Sequence, residues 1–222
     1  MGEMVEFKSN GGTCTGYLAG TSGPGVIVIQ EWWGLVPHIT DIADRFAAEG
    51  FVALAPDMYH GEVTDEPDLA GKLLMSMNLA TAGKDLSGAV DLLQERTGRT
   101  KVGVTGFCMG GGLALMAACL RPDAIAAAAP FYGGMRPDTV IEWDNLDAVV
   151  EGHYAATDRG TAAPEAVKEL EATLRAKGKN AMFHIYPGTQ HAFFNDTRPE
   201  VYDAAVAKTA WDRTLALFRA NL

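Results

Sequence analysis

Short apolar runs alternate with longer stretches of helical spacing along nearly the whole chain. Val26–Gln30 (VIVIQ) is apolar up to its last residue and reads as a strand buried on both faces. Phe51–Ala55, ended by Pro56, and Lys101–Thr105 (KVGVT) have the same character, as do Ala148–Ala156 and Ala181–Tyr186. Ala124–Ala129 is too rich in alanine for its pattern to separate strand from helix. Helical spacing marks Ile39–Glu49, which stops at Gly50, then Leu69–Leu79, Gly83–Arg96, Leu113–Leu120 and Ala163–Ala176. Val201–Ala220 is a long amphipathic closing helix with Trp211, Leu215 and Phe218 on one face. Near the start, Val5–Lys8 and Thr13–Leu18 flank Asn10-Gly11-Gly12 and predict a hairpin.

Strands that alternate with helices predict an α/β fold with a mostly parallel central sheet and helices on both faces. No repeat, charge block or Pro/Ser-rich linker divides the sequence, so residues 1–222 read as one domain. Such a sheet binds ligands at the carboxyl ends of its strands. Residues that follow a strand are therefore the first candidates for chemistry.

Composition narrows the partners. The 222 residues hold 18 Lys+Arg and 28 Asp+Glu, a formal net charge of −10, which disfavours nucleic acid and acidic membranes. No apolar run is long enough to span a bilayer, and MGEMVEFKSN lacks the pattern of a signal peptide. Three scattered cysteines, Cys14, Cys108 and Cys119, fit a reducing compartment, so a cytoplasmic location is expected. Neither C-x-x-C nor H-E-x-x-H occurs, and His38, His153 and His184 show no ligand spacing, so no metal site is expected. Cys14 in the hairpin and Cys119 in a helix read as packing residues. Oligomeric state is not legible.

The strongest chemical signal is Gly106-x-Cys108-x-Gly110, set between a predicted strand and a predicted helix. A nucleophile there stands on a sharp turn above the sheet edge. The helix N-terminus behind it favours a thiolate and offers backbone N–H groups to an oxyanion. A thiol nucleophile needs a base, and the base needs an orienting acid. His191 follows the strand Ala181–Tyr186, and Asp158 follows the strand ending near Ala156. The order Cys, Asp, His is the chain order of α/β-hydrolase triads. Taken alone, Asp158 also fits a turn acid and His191 a loop histidine. Glu31 ends the apolar strand VIVIQ, where a carboxylate is expected to be buried near the nucleophile. The N–H of Trp32, just after it, lies in the loop that supplies the second oxyanion donor in this fold, beside that of Met109.

These segments together resemble the dienelactone hydrolase (carboxymethylenebutenolidase) family of α/β-hydrolases. The resemblance rests on Gln30-Glu31-Trp32-Trp33-Gly34, Ala55-Pro56-Asp57-Met58-Tyr59, Gly106-Phe107-Cys108-Met109-Gly110-Gly111, the strand leading to Asp158, and His191-Ala192-Phe193. It implies Cys108 as nucleophile, His191 as base and Asp158 as its orienter. It also implies that Glu31 hydrogen-bonds the resting thiol until substrate displaces it. Trp33, Tyr59, His60 and Asn195 are the expected substrate contacts. Family members that act on dienelactone hold its carboxylate with two arginines. At the matching places Glu62 to Ala80 contains no arginine, and the position four after His191 is Asn195. The expected activity is hydrolysis of a small ester or lactone by a Cys-His-Asp triad through a thioester, with no cofactor. A broader carboxylesterase or thioesterase is the alternative, as is a redox-sensing or binding protein that keeps the fold without turnover.

Overall fold

A computed structural model describes residues 2–9, 11–136 and 139–222. Among these residues eight strands and six α-helices form a single α/β unit. The strands are β1 (Glu3–Ser9), β2 (Gly12–Ala19), β3 (Gly25–Ile29), β4 (Val52–Pro56), β5 (Val102–Phe107), β6 (Ile125–Phe131), β7 (Val149–Ala155) and β8 (Ala181–Tyr186). The helices are α1 (Pro37–Ala48), α2 (Pro67–Ser76), α3 (Leu79–Thr97), α4 (Met109–Leu120), α5 (Pro164–Ala176) and α6 (Ala204–Asn221).

One sheet holds all eight strands in the order β1-β2-β4-β3-β5-β6-β7-β8. β1 and β2 form the expected hairpin, with Ser9 opposite Gly12, and β2 also pairs antiparallel with β4. Asn10 of the predicted turn lies outside the described residues. From β4 to β8 every neighbouring pair is parallel. The chain leaves β3 for β4 on one side and then crosses to β5 on the other. The crevice between β3 and β5 is therefore the point where the winding reverses, the place where open α/β sheets bind ligands.

The two-faced burial of β3 is explicit in its side chains. Ile27 and Ile29 join the core beneath α3, α4 and α5, while Val26 and Val28 join the opposite core beneath α1 and α6. In the second core Phe46 of α1 meets Trp211 of α6 with ring centroids 4.4 Å apart. Phe218 of α6 also packs on Phe46, as the predicted apolar face requires.

Two boundaries differ from the sequence pattern. The predicted helix Leu69–Leu79 ends at Ser76, and α3 already begins at Leu79. The break falls at Met77-Asn78, because the Asn78 side chain accepts a hydrogen bond from the Thr81 N–H and caps α3. The helix expected at Leu113 starts four residues earlier, at Met109. Glycine is a poor helix former, but Gly110, Gly111 and Gly112 are held there by close packing against β3 and the loop after β6. Of Ala124–Ala129, Ile125 to Ala129 lie in β6 and Ala124 in the turn before it.

β7 is tied to the rim of the sheet by a buried histidine. The Thr214 hydroxyl donates to the Ala210 carbonyl, so its oxygen accepts from His153 Nε2–H. His153 Nδ1 then accepts from the Tyr186 hydroxyl at 3.0 Å, whose oxygen also takes a bond from Arg213. Burial first, and then the charges of His184 and Arg213, hold His153 well below the usual imidazole range. Its backbone carbonyl accepts from Tyr132 N–H, which anchors the end of β6 to β7.

Candidate active site

The elbow after β5 is built by exclusion of side chains. A Cβ on Gly106 would lie 2.1 Å from the Gly110 carbonyl oxygen. A Cβ on Gly110 would lie 2.5 Å and 2.6 Å from the carbonyl oxygens of Ile29 and Gln30. Only glycines let the chain fold back this tightly and seat α4 against the end of β3. Cys108 between them takes φ +54° and ψ −118°, a conformation that costs a residue with a Cβ about 1–3 kcal/mol. That turn leaves Cys108 partly exposed while its neighbours are buried. Met109 is the first residue of α4, so its N–H has no partner within the helix and faces the elbow. Among the described residues no hydrogen bond uses the N–H of Trp32, which follows the strand end that Gly110 touches.

The three residues read as a triad come together. His191 Nδ1 lies 2.7 Å from Asp158 Oδ2, and Cys108 lines the same cavity as both residues. Burial works against a charge on His191. The hydrogen bonds to Asp158 and Cys108, with the negative charge of both partners, outweigh it and carry the imidazole up to about 10. Asp158 is itself held by the Arg159 N–H, which donates to Oδ1 at 2.8 Å.

Glu31 is 1% exposed, as its place at the end of β3 predicts. Among the described residues its oxygens are hydrogen-bonded by Asn195 and Tyr132, not by the thiol that the resemblance implies. Asn195 Nδ2 donates to Oε2 at 3.0 Å, and the Tyr132 hydroxyl donates to Oε1 at 3.5 Å. Burial pushes the Glu31 carboxyl up, opposed first by the Asn195 bond and then by the charges of His191 and Arg198.

A cavity of about 280 Å³ is lined by Cys108, Asp158 and His191 together. Its apolar wall comes from Leu74, Met77 and Leu79 around the α2–α3 break, with Met109, Leu113 and Met135. Arg136, Arg159 and Thr161 supply polar groups.

None of the four expected substrate contacts lines this cavity. Trp33 and Asn195 border a separate surface depression, and Asn195 is committed to Glu31. His60 turns the other way and pairs with Asp85 of α3 at 3.1 Å. Tyr59 is buried behind the elbow, its hydroxyl 3.2 Å from the Met109 sulfur. Sequence reasoning missed Tyr132 and Arg159. Tyr132 is fully buried at φ +35°, with its ring 5.1 Å from that of His191, edge to face. The signal available for it was a Tyr-Gly-Gly run directly after a strand.

A mostly parallel sheet with a strained Gly-x-Cys-x-Gly elbow at its winding reversal defines an α/β-hydrolase. Within that class the chain belongs to the dienelactone hydrolase family, whose model matches residues 14–222. It is 41% identical over 232 residues to Protein usf of Aquifex pyrophilus, covering 100% of both chains. It is 37% identical, again over the full length of both, to a protein of Aquifex aeolicus provisionally named carboxymethylenebutenolidase. Among solved structures it resembles a provisionally named dienelactone hydrolase from Klebsiella pneumoniae, with TM-score 0.86, 29% identity and 99% of each chain covered. The fold alone is shared with P91, a dienelactone hydrolase-like promiscuous phosphotriesterase from metagenomic libraries. There the TM-score is 0.87 at 23% identity, with 100% of this chain and 98% of that one covered. Among the described residues no helix is long and apolar enough to cross a membrane.

Proposed function

We propose that this chain is a carboxylic ester hydrolase that opens small esters or lactones with Cys108 as nucleophile. His191 takes the thiol proton, held in the correct tautomer by Asp158. The sulfur attacks the substrate carbonyl, and the N–H groups of Met109 and Trp32 receive the oxyanion. Collapse breaks the C–O bond, His191 gives its proton to the leaving alkoxide or enolate, and an acyl thioester remains. Water, deprotonated by His191, then attacks the thioester and releases the acid and the thiol. A thiolate departs readily from tetrahedral intermediates, so activated esters and lactones suit it better than amides. His191 handles every proton transfer, so the reading invokes no cofactor.

The observation that carries this reading is the 2.7 Å bond from Asp158 to an imidazole that lines the same cavity as the elbow sulfur. Trapping tests it. His191→Ala protein mixed with a p-nitrophenyl ester or a lactone should carry the acyl mass on Cys108 in peptide mass spectrometry. Cys108→Ala protein should carry none and should turn over nothing. Unchanged turnover in Cys108→Ala would overturn the assignment.

A broader carboxylesterase or thioesterase reading is favoured by one observation. The cavity wall is built from leucine and methionine, and no arginine occurs between Glu62 and Ala80. Comparing kcat/KM across neutral p-nitrophenyl esters, lactones and acyl thioesters separates the two. A non-catalytic redox sensor would instead show no turnover of any of them and rapid oxidation of Cys108.

A further inference from the structure

Away from the nucleophile, three potential donors from distant parts of the sequence meet. Cys14 lies on β2, His60 in the turn after β4, and Asp85 on α3. One ligand atom of each falls within 4.8 Å of the other two. In the sheet, β4 and β3 separate β2 from β5, so this cluster is distinct from the Cys108 cavity. We propose that Cys14, His60 and Asp85 form a binding site for a thiophilic divalent cation of the zinc class.

The chemistry of the donors supports this. Thiolate, imidazole and carboxylate are the protein ligands that zinc takes, at about 2.0–2.3 Å, which sets neighbouring donor atoms roughly 3.3–3.6 Å apart in a tetrahedron. His60 Nε2 and Asp85 Oδ2 are already 3.1 Å apart. That approach lacks the alignment of a hydrogen bond, and Asp85 Oδ2 is buried with no hydrogen-bond partner. The other oxygen, Oδ1, accepts from the Ser9 hydroxyl, which fixes the carboxylate with its free oxygen toward the cluster. A buried carboxylate oxygen that faces only an unaligned imidazole is costly unless a cation shares its space.

The remaining geometry suits uptake of an ion. Cys14 is 1% exposed and Asp85 is 2% exposed, whereas the His60 side chain is 46% exposed. Two ligands thus form the floor, and the imidazole covers them from the solvent side. The turn that carries His60 is fixed by Asp57, whose carboxylate accepts from the N–H groups of Tyr59 and Gly61. The Cys14 thiol contacts the carbonyls of Thr15 and Asp57 at 3.3 Å and 3.6 Å. Coordination would replace that thiol proton with the cation and release the proton to solvent. Water completes the coordination sphere.

The experiment uses chelator-treated, full-length Cys108→Ser protein, so that the exposed thiol contributes no signal. Titration with Co²⁺ is followed in the near-ultraviolet, where a thiolate–cobalt bond gives a charge-transfer band, and competition with Zn²⁺ gives affinity. The expected result is one ion per chain with a sulfur–cobalt band. His60→Ala changes only an exposed side chain, and it should weaken binding by at least roughly 10-fold. Asp85→Asn should weaken it as well. Absence of saturable binding, a saturable complex without the sulfur band, or unchanged affinity in His60→Ala would each overturn the proposal. None of these outcomes bears on ester hydrolysis at Cys108.

Discussion

Substituting Gly110 by alanine tests whether the elbow and the end of β3 form one rigid unit. The new Cβ would lie 2.5 Å from the Ile29 carbonyl oxygen and 2.6 Å from that of Gln30. Both neighbours are backbone atoms of a central strand, so no side chain can swing away. Relief to even 3.0 Å requires a displacement of about 0.5 Å between α4 and β3. Overpacking of this kind costs about 1–3 kcal/mol of stability. The same displacement separates Cys108 from Trp32 N–H, and misplacement by an ångström can cost about 10²-fold in rate. Urea denaturation measures the first effect, and kcat/KM on a p-nitrophenyl ester measures the second. Gly71→Ala is the control, because a Cβ there meets nothing within 4 Å inside α2 and should stabilise by roughly 0.5–1 kcal/mol. A Gly110→Ala protein as stable and as active as wild type would refute the reasoning.

Other outcomes follow from the same contacts. Asp158→Asn should lower kcat by roughly 10³–10⁴ with little change in KM, and the His191 pKa, read by NMR, should fall from about 10. Asn195→Ala removes the donor to buried Glu31, which should cost about 1–3 kcal/mol in urea denaturation and push the Glu31 carboxyl further up in carboxyl-carbon NMR. His153 stays neutral in the fold but takes up a proton when unfolded, so stability should fall as pH drops below about 6.5, by up to about 1.4 kcal/mol per unit. Denaturation at several pH values should show that slope relative to His153→Asn, and equal slopes would contradict a buried neutral imidazole.

The parts legible in the sequence were those governed by local rules. VIVIQ could be read as a doubly buried strand because both faces of β3 meet a core, and Gly106-x-Cys108-x-Gly110 could be read as an elbow because only glycine fits beside it. Cys108, Asp158 and His191 could be read as neighbours because each follows a parallel strand. What stayed hidden depends on which strands lie side by side. β6 and β7 are adjacent, so Tyr132 and Arg159 reach the same rim although 26 residues lie between them in the sequence. His60 follows a strand as well, but β4 lies on the far side of β3 from β5, which turns its loop toward Asp85 instead of the cavity. Glu31 was found as a buried carboxylate, while its partner Asn195 was read as a substrate contact. Spacing cannot tell a donor aimed inward from one aimed at a ligand.

The division of labour between sheet and helix break has an evolutionary consequence. Cys108, Asp158 and His191 follow strand ends, with no room for a Cβ at Gly106 or Gly110, yet half of the apolar wall is carried by Leu74, Met77 and Leu79 at the interruption between α2 and α3. Residues there can be exchanged, and the interruption lengthened or shortened, without disturbing the strands. A lineage built on this plan can drift toward new molecules while its chemistry stands still.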